Sequence, residues 1–177
     1  MKNKMMLLFG TLCMLVALAT LGPLSHKAFA DEDDAKRGLE GSWAFQFTGE
    51  VNLPAPFNGA NGRFYRNGRF VADRGTVTPA GATGNFHVTS ATSNYNGVVG
   101  HETFAGTYIL ANDGTFHLTI NNLPVPAFPP GVPNVFVFDG VLADNGKAAK
   151  VVLAAVSIFG APQPNIGSVI AGEFLRQ

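Results

Sequence analysis

Apolar and polar residues alternate with a period of two along most of the chain after residue 40. In the first such stretch, Trp43, Phe45 and Phe47 fall on one face and Gln46 and Thr48 on the other. This alternation is typical of a half-buried β-strand, and no stretch has a helical period of useful length. The pattern predicts nine strands, at Gly41–Thr48, Gly62–Tyr65, Arg69–Val77, Gly84–Ser93, Val99–Ala111, Thr115–Asn121, Val135–Leu142, Lys147–Ser157 and Ser168–Arg176.

Four glycine-ended tripeptides lie between or within these stretches and look like hairpin turns. They are Arg66-Asn67-Gly68, Tyr95-Asn96-Gly97, Asn112-Asp113-Gly114 and Asp144-Asn145-Gly146. Each fits either a two-residue turn on its last pair or a three-residue loop closed by a left-handed glycine. We favour three-residue loops, because they keep one face apolar throughout. They place Phe64 opposite Phe70, Phe86 opposite Gly106, Val88 opposite Phe104, Tyr108 opposite Leu118 and Leu110 opposite Phe116.

Many strands joined by short turns predict an all-β fold, an antiparallel meander of about eight or nine strands. We expect a closed β-barrel, since closure removes exposed strand edges, with a β-sandwich as the alternative. The predicted domain covers residues 39–177, after a flexible acidic leader at 31–38. Gly-x-aromatic triplets recur along the strands, and we interpret each glycine as making room for the inward ring two residues later.

The first 30 residues have the features of a secretory signal peptide. Lys2 and Lys4 precede an apolar run, and Ala28-Phe29-Ala30 is a small-x-small cleavage pattern. Removing this segment removes the chain's 1 cysteine, which excludes thiol chemistry and thiolate metal sites. It also leaves a net charge of about −3, which disfavours nucleic acid and anionic membranes as partners. We therefore expect a secreted or periplasmic protein with no membrane span after cleavage.

Gly41-Ser42-Trp43 opens the first strand and Arg176 closes the last. These ends resemble the calycin barrels (lipocalin and avidin types), in which a terminal Arg packs over the Trp of a Gly-x-Trp strand. The chain as a whole resembles small secreted bacterial β-barrel proteins of unassigned function, related to the allene oxide cyclase and dirigent barrels. The resemblance implies a barrel and supplies no activity.

Few residues of the mature chain point to chemistry. His87, His101 and His117 all fall on the predicted outer face and do not converge, so we predict no metal site and no cofactor. Nucleophile-elbow, zinc-protease, phosphate-loop and dinucleotide motifs are absent, and we assign no catalytic residue. Glu102 is the one acid on the predicted inner face, opposite Ser90. We expect it at the barrel rim in water, and alternatively buried with a raised pKa.

Two other segments can be interpreted as binding sites, one for an anion and one for a partner. Arg63, Arg66, Arg69 and Arg74 fall together in the sequence, and we interpret them as a solvated face rather than an anion site. Leu123 to Pro133 holds five prolines and excludes a central strand. We expect this segment to cover one barrel mouth, with a partner-docking strip as the alternative. Phe57, Phe128 and Phe159 lie in proline-containing loops.

The hairpin formed by Val135–Leu142 and Lys147–Ser157 is apolar on both faces. Its predicted outer face carries Val135, Val137, Val151 and Leu153. Since an apolar patch of this kind is rarely left to water, we predict a cover, either the proline-rich segment or a second copy of the protein. We favour a homo-oligomer.

Three functions remain open at this point. The first is a barrel that binds a small apolar or aromatic ligand in its mouth, with Trp43, Phe45, Tyr108 and Glu102 as the candidate binding residues. The second is a structural or surface-interaction protein with a fully packed barrel. The third is an isomerase of the allene oxide cyclase type, which needs a polar group deep in a cavity.

Overall fold

The computed structural model describes residues 38–125, 128, 131–163 and 168–177, with backbone alone at 59 and 60. The predicted signal peptide and nearly all of the acidic leader lie outside the described residues. The strands are β1 Gly41–Val51, β2 Gly62–Ala72, β3 Val77–Thr78, β4 Gly81–Tyr95, β5 Val98–Ala111, β6 Thr115–Asn121, β7 Asn134–Ala143, β8 Ala148–Ile158, β9 Ala161–Gln163 and β10 Val169–Arg176. One short 3₁₀ helix, Phe57–Ala60, interrupts the β1–β2 connection.

Eight of these strands close into an antiparallel barrel. Each of β1, β2, β4, β5, β6, β7 and β8 pairs with the next, and β10 pairs with both β1 and β8. The short strands β3 and β9 add to the edges of β4 and β8. The predicted all-β fold and closed barrel are therefore confirmed, and the sandwich alternative is wrong.

The predicted turn at Arg66-Asn67-Gly68 is wrong, because this stretch lies in the middle of the single strand β2. Strand β1 pairs with β2 over its whole length, with Gly68 opposite Phe45. The two strands predicted at Gly62–Tyr65 and Arg69–Val77 are thus one strand, and the expected pairing of Phe64 with Phe70 does not exist. The local Asn-Gly signal is overridden by eleven residues of continuous pairing with a neighbouring strand.

The turn at Tyr95-Asn96-Gly97 is a two-residue turn, since Tyr95 pairs directly with Val98. Both Asn96 and Gly97 have positive φ, at 49° and 88°, as a type I′ turn requires. A bulge in β4 between Val88 and Ala91 then shifts the register by one. As a result, two predicted pairs in the half of the hairpin farther from the turn are confirmed, namely Phe86 with Gly106 and Val88 with Phe104.

The remaining two turns differ in length. The Asn112-Asp113-Gly114 loop has three residues and the predicted partners, Tyr108 with Leu118 and Leu110 with Phe116. The β7–β8 loop has four residues, 144–147, since Ala143 pairs with Ala148. Positive φ is found at the glycines of three of the four predicted turns, namely Gly97, Gly114 and Gly146.

Glycine and aromatic residues pair across strands inside the barrel. Gly68, Gly84, Gly106, Gly140 and Gly172 each lie opposite a ring, that of Phe45, Tyr108, Phe86, Phe116 and Phe47 respectively. A Cβ atom on any of these five glycines would come within 3.0 Å of that ring. The glycines therefore make room for a ring on the neighbouring strand, and not for one two residues later on their own strand as we expected.

The two faces of the β7–β8 hairpin need a correction. Phe136 pairs with Val156 and both are buried, as predicted. A bulge in β8, opposite Val137 and Phe138 of β7, reverses the alternation of inward and outward residues between that point and the β7–β8 loop. Val151 and Leu153 therefore face inward, since Val151 is 2% exposed and Leu153 packs against the core. Val152 faces outward and is 55% exposed.

Two of the four residues predicted for a self-association surface, Val151 and Leu153, consequently lie inside the barrel. Val135 and Val137 lie on the outer face and are half-buried. The homo-oligomer stays a prediction, and on this hairpin it depends on Val135 and Val137 with Val152.

The antiparallel order places the connections at two opposite ends. The proline end is formed by the described residues of the connections at 52–61, 96–97, 122–125, 128, 131–133, 159–163 and 168. The charged end is formed by residues 38–40, 73–80, 112–114 and 144–147. Between them the core is aromatic, and Trp43 is fully buried near the charged end, as predicted. Among the described residues, no helix is long and apolar enough to cross a bilayer.

Candidate functional site

The middle of the barrel is filled with side chains. The space between its rings measures about 10 Å³ and is lined by Phe45, Phe47, Phe70, Phe86, Val88, Phe104, Leu118, Ile120 and Phe174. That volume is at the lower limit for holding one water molecule, and ligand pockets measure roughly 300 Å³ or more. Larger depressions lie on the outside of the barrel, one of about 490 Å³ over β1, β2, β4 and β10 and one of about 610 Å³ over β1, β2 and β4. Another, of about 420 Å³, lies at the proline end between Asn122 and Asn134.

Trp43 packs at the charged end beneath the closing strand. Its indole Nε1 donates a hydrogen bond of 2.7 Å to the carbonyl oxygen of Leu39. The guanidinium carbon of Arg176 lies 4.7 Å from the centre of the ring, a cation–π distance. The terminal Arg therefore packs over the Trp. With its one donor already satisfied and its face covered, Trp43 is a packing residue.

Tyr108 lies at the same end and is 1% exposed. Its hydroxyl donates a hydrogen bond of 3.1 Å to the carbonyl oxygen of Asp73. Burial raises the pKa of this phenol above its usual value. Phe45 sits in the middle of the barrel, 5% exposed, with its ring 6.4 Å from that of Phe104. Glu102 is near the proline end, so the four candidate binding residues do not form one cluster.

Glu102 forms a buried ion pair inside the barrel, and the expected position at the rim in water is wrong. Its Oε2 lies 2.6 Å from Nη2 of Arg66, and the two side chains are 7% and 1% exposed. Its other oxygen accepts a hydrogen bond of 2.6 Å from the Ser93 hydroxyl. The β4 bulge places Ala91, rather than the predicted Ser90, opposite Glu102.

Arg66 is the residue that the sequence interpretation misplaced. Its guanidinium carbon lies 4.9 Å from the Phe64 ring centre and 5.2 Å from that of Phe104. Nη2 also donates to the carbonyl oxygen of Pro124, at 2.5 Å. Desolvation by burial, partly offset by Glu102, lowers the pKa of Arg66 to about 10. Its Nε has no hydrogen-bond partner among the described residues.

The other three arginines of that group do lie on the surface. Arg63 and Arg69 are exposed, and Nε of Arg74 lies 3.8 Å from a carboxylate oxygen of Glu40. The prediction of a solvated face thus holds for these three and is wrong for Arg66. An alternation signal was available, because Phe64, Arg66, Gly68 and Phe70 occupy every second position of one strand.

Tyr95 is buried beside Phe64 at the proline end. The two rings are 6.4 Å apart, and Tyr95 is 3% exposed. Its hydroxyl has no hydrogen-bond partner among the described residues. Desolvation raises the pKa of Tyr95 to about 12. An unpaired buried hydroxyl costs stability, which sets Tyr95 apart from the hydrogen-bonded Tyr108.

The three histidines lie exposed on the outer face, as predicted. Nδ1 of His117 is 2.6 Å from a carboxylate oxygen of Asp139, and His101 contacts the hydroxyl of Thr92 at 3.3 Å. Within the described part of the chain, no three His, Cys, Asp or Glu side chains come close enough to hold a metal ion.

Three phenylalanines from three separate connections meet at the proline end. The Phe57 ring lies 6.3 Å from that of Phe128 and 6.2 Å from that of Phe159. Phe57 and Phe128 are half-buried and pack against the core, whereas Phe159 is 63% exposed. We call these three residues the phenylalanine cluster. They are far apart in the sequence, and only the barrel order brings them together.

The described residues of the proline-rich segment pack downward onto the barrel. Leu123 is 3% exposed and belongs to the core, with Val125 and Val132 packed against it. The buried Asn134 donates hydrogen bonds from its amide to the carbonyl oxygens of Leu123 and Val132, at 3.2 and 3.3 Å. These contacts favour the interpretation of the segment as a cover for the barrel mouth.

Comparison with known proteins found no matching family model, no matching curated protein and no matching solved structure.

Proposed function

We propose that the protein is a secreted or periplasmic β-barrel that works as a rigid scaffold and binds its partner through the proline end. The observation that carries the proposal is the packed interior, whose free space of about 10 Å³ leaves no room for a drug-sized ligand. Binding residues often lie on loops held by a rigid scaffold, and the phenylalanine cluster has that position.

The same contacts weaken the ligand-binding hypothesis. The polar atoms of Trp43 and Tyr108 are already bonded to backbone carbonyl oxygens, and the carboxylate of Glu102 is held by Arg66 and Ser93. A ligand in the barrel would have to displace side chains packed around Phe45. An isomerase of the allene oxide cyclase type would need a free polar group facing a cavity, and Glu102 faces Arg66 instead.

Native mass spectrometry of the protein purified as its cell produces it tests this proposal. We expect the mass of the polypeptide with no stoichiometric small molecule attached. The single tryptophan gives a second readout, because Trp43 is buried in the barrel. Its emission should not change when apolar dyes are added. A bound molecule whose removal shifts the Trp43 emission would overturn the packed scaffold and restore the ligand-binding hypothesis.

A further inference from the structure

The two ends of the barrel differ in ionic character. The connections of the proline end contain no Asp, Glu, Lys or Arg, although the chain has 12 basic and 12 acidic residues. At the charged end every connection contains at least one such residue, for example Asp73, Asp113 and Lys147. The nearest exposed charges below the proline end are Glu50 and Arg63, which are opposite in sign and face each other in the β1–β2 register.

The proline end also lacks some backbone donors. Five of the six prolines in the described part of the chain lie at this end, namely Pro54, Pro56, Pro124, Pro133 and Pro162. A proline has no N–H group, so each one removes a donor that would need a partner away from water. A surface made in this way suits an environment that offers few hydrogen bonds.

Phe159 is held at this end in a costly conformation. Its φ is 53°, it is 63% exposed, and Ile158 pairs with Ala161 around a two-residue Phe159-Gly160 turn. The β4–β5 hairpin at the same end makes the same type of turn with Asn96, a residue that tolerates positive φ. A bulky residue in the left-handed region and largely in water suggests a use for its side chain.

These observations favour a lipid surface over a protein partner. Protein interfaces combine an apolar centre with a polar rim and about one hydrogen bond per 100–200 Å². Here charge is absent from all four connections, and their exposed polar side chains are neutral amides such as Asn58, Asn96 and Asn122. We propose that the proline end inserts the phenylalanine cluster into the interface of a zwitterionic lipid surface, with Phe159 entering the acyl boundary. This inference rests on the proposed function, since it names the partner of the same end.

Flotation with phosphatidylcholine vesicles tests the inference. The whole protein should float with the vesicles equally well at low and high salt, because no charge contributes to binding. Phe159→Asn should lower the partition coefficient by about tenfold or more, since a buried Phe side chain is lost from the lipid. The matched control is Val77→Asn, which removes an exposed apolar residue from the charged end, where Val77 is 45% exposed. It should bind as the wild type does.

Other outcomes are distinguishable. Absence of wild-type flotation would overturn the lipid inference, as would binding that requires anionic lipid and disappears at high salt. If the wild type instead self-associates in sedimentation, and Phe159→Asn abolishes that association, the partner is a second copy of the protein. The lipid inference is then wrong, but the proposal that the proline end binds the partner stands. If Val77→Asn lowers flotation and Phe159→Asn does not, both the lipid inference and the proposed binding end are wrong. Retention of the fold is checked by circular dichroism for each variant.

Discussion

The two ends of the barrel treat buried polar groups differently. At the charged end, Trp43 and Tyr108 donate their hydrogen bonds to backbone carbonyl oxygens, and Arg176 covers the indole. At the proline end, Nε of Arg66 and the Tyr95 hydroxyl are buried without a hydrogen-bond partner among the described residues. The buried donors of Trp43 and Tyr108 are therefore satisfied, whereas the unpaired groups of Arg66 and Tyr95 lower the stability of the proline end.

The largest expected effect is at the charged end. Trp43→Ala should lower the free energy of unfolding by about 3–5 kcal/mol, because a fully buried indole leaves a cavity in a packed core. Phe57→Ala at the proline end should cost clearly less, since Phe57 is half-buried. Urea denaturation followed by circular dichroism measures both. Equal losses in the two variants would show that both ends contribute equally to the free energy of unfolding, and the proposed difference between the ends would be wrong.

The buried ion pair gives the second test. Arg66→Met should cost about 3–5 kcal/mol, because it leaves the Glu102 carboxylate buried without its partner. The double variant Arg66→Met/Glu102→Leu should return to within about 1 kcal/mol of the wild type, since buried ion pairs are often replaceable by apolar residues. The control is Arg69→Met, exposed on the same strand, with an expected change below about 0.5 kcal/mol.

A denaturant double-mutant cycle separates these terms. If Arg66→Met costs no more than Arg69→Met, the guanidinium is hydrated in solution and the pair is not buried. If the double variant is as unstable as the single one, Arg66 stabilises the barrel by its packing on Phe64 and Phe104 rather than through Glu102.

Local patterns predicted much of this fold, for physical reasons that also explain the failures. Alternation places a side chain inside or outside when a strand is regular, so Trp43 was assigned correctly. The bulges at Val88–Ala91 and in β8 arise from pairing with neighbouring strands, and no local sequence signal predicts them. Arg66 was missed because Asn67-Gly68 is a strong turn signal in isolation.

The candidate site was less predictable than the fold. Glu102 was assigned to the inner face from its register with Phe104, yet its partner depended on β2 being one continuous strand. The phenylalanine cluster joins residues about 30 to 100 positions apart in the sequence, through the order in which the barrel closes. A sequence pattern carries no information on which loops share an end until the strand count is right.

The two buried tyrosines give a smaller and more selective test. Tyr108→Phe should lower the free energy of unfolding by about 1 kcal/mol, because the hydrogen bond to Asp73 is lost. Tyr95→Phe should leave it unchanged or raise it by up to about 1 kcal/mol, because it removes an unpaired buried hydroxyl. A loss at Tyr95 as large as that at Tyr108 would mean that the Tyr95 hydroxyl has a partner in solution.

Alkaline pH should separate Tyr95→Phe from the wild type. The Tyr95 pKa is raised to about 12 in the folded protein, whereas an unfolded Tyr ionises near 10. The unfolded chain therefore loses this proton first, so the free energy of unfolding is unaffected below pH 10 and falls as the pH rises towards 12. In denaturation curves over that interval, Tyr95→Phe should reduce the fall in stability. An identical fall of the free energy of unfolding in Tyr95→Phe and in the wild type would contradict the raised pKa of Tyr95.

The smallest expected change is at Phe159, and its sign is the informative part. Phe159→Asn installs the residue that Asn96 provides in the matching turn, and it relieves a positive φ that costs a bulky residue about 1–2 kcal/mol. The substitution also removes the ring contact with Phe57, which offsets part of the gain. We expect thermal denaturation to show a variant as stable as the wild type or more stable by up to about 1 kcal/mol. A clear loss of stability would mean that Phe159 is held for packing, whereas a gain together with lost vesicle binding would mean that stability is sacrificed at this turn for contact with a partner.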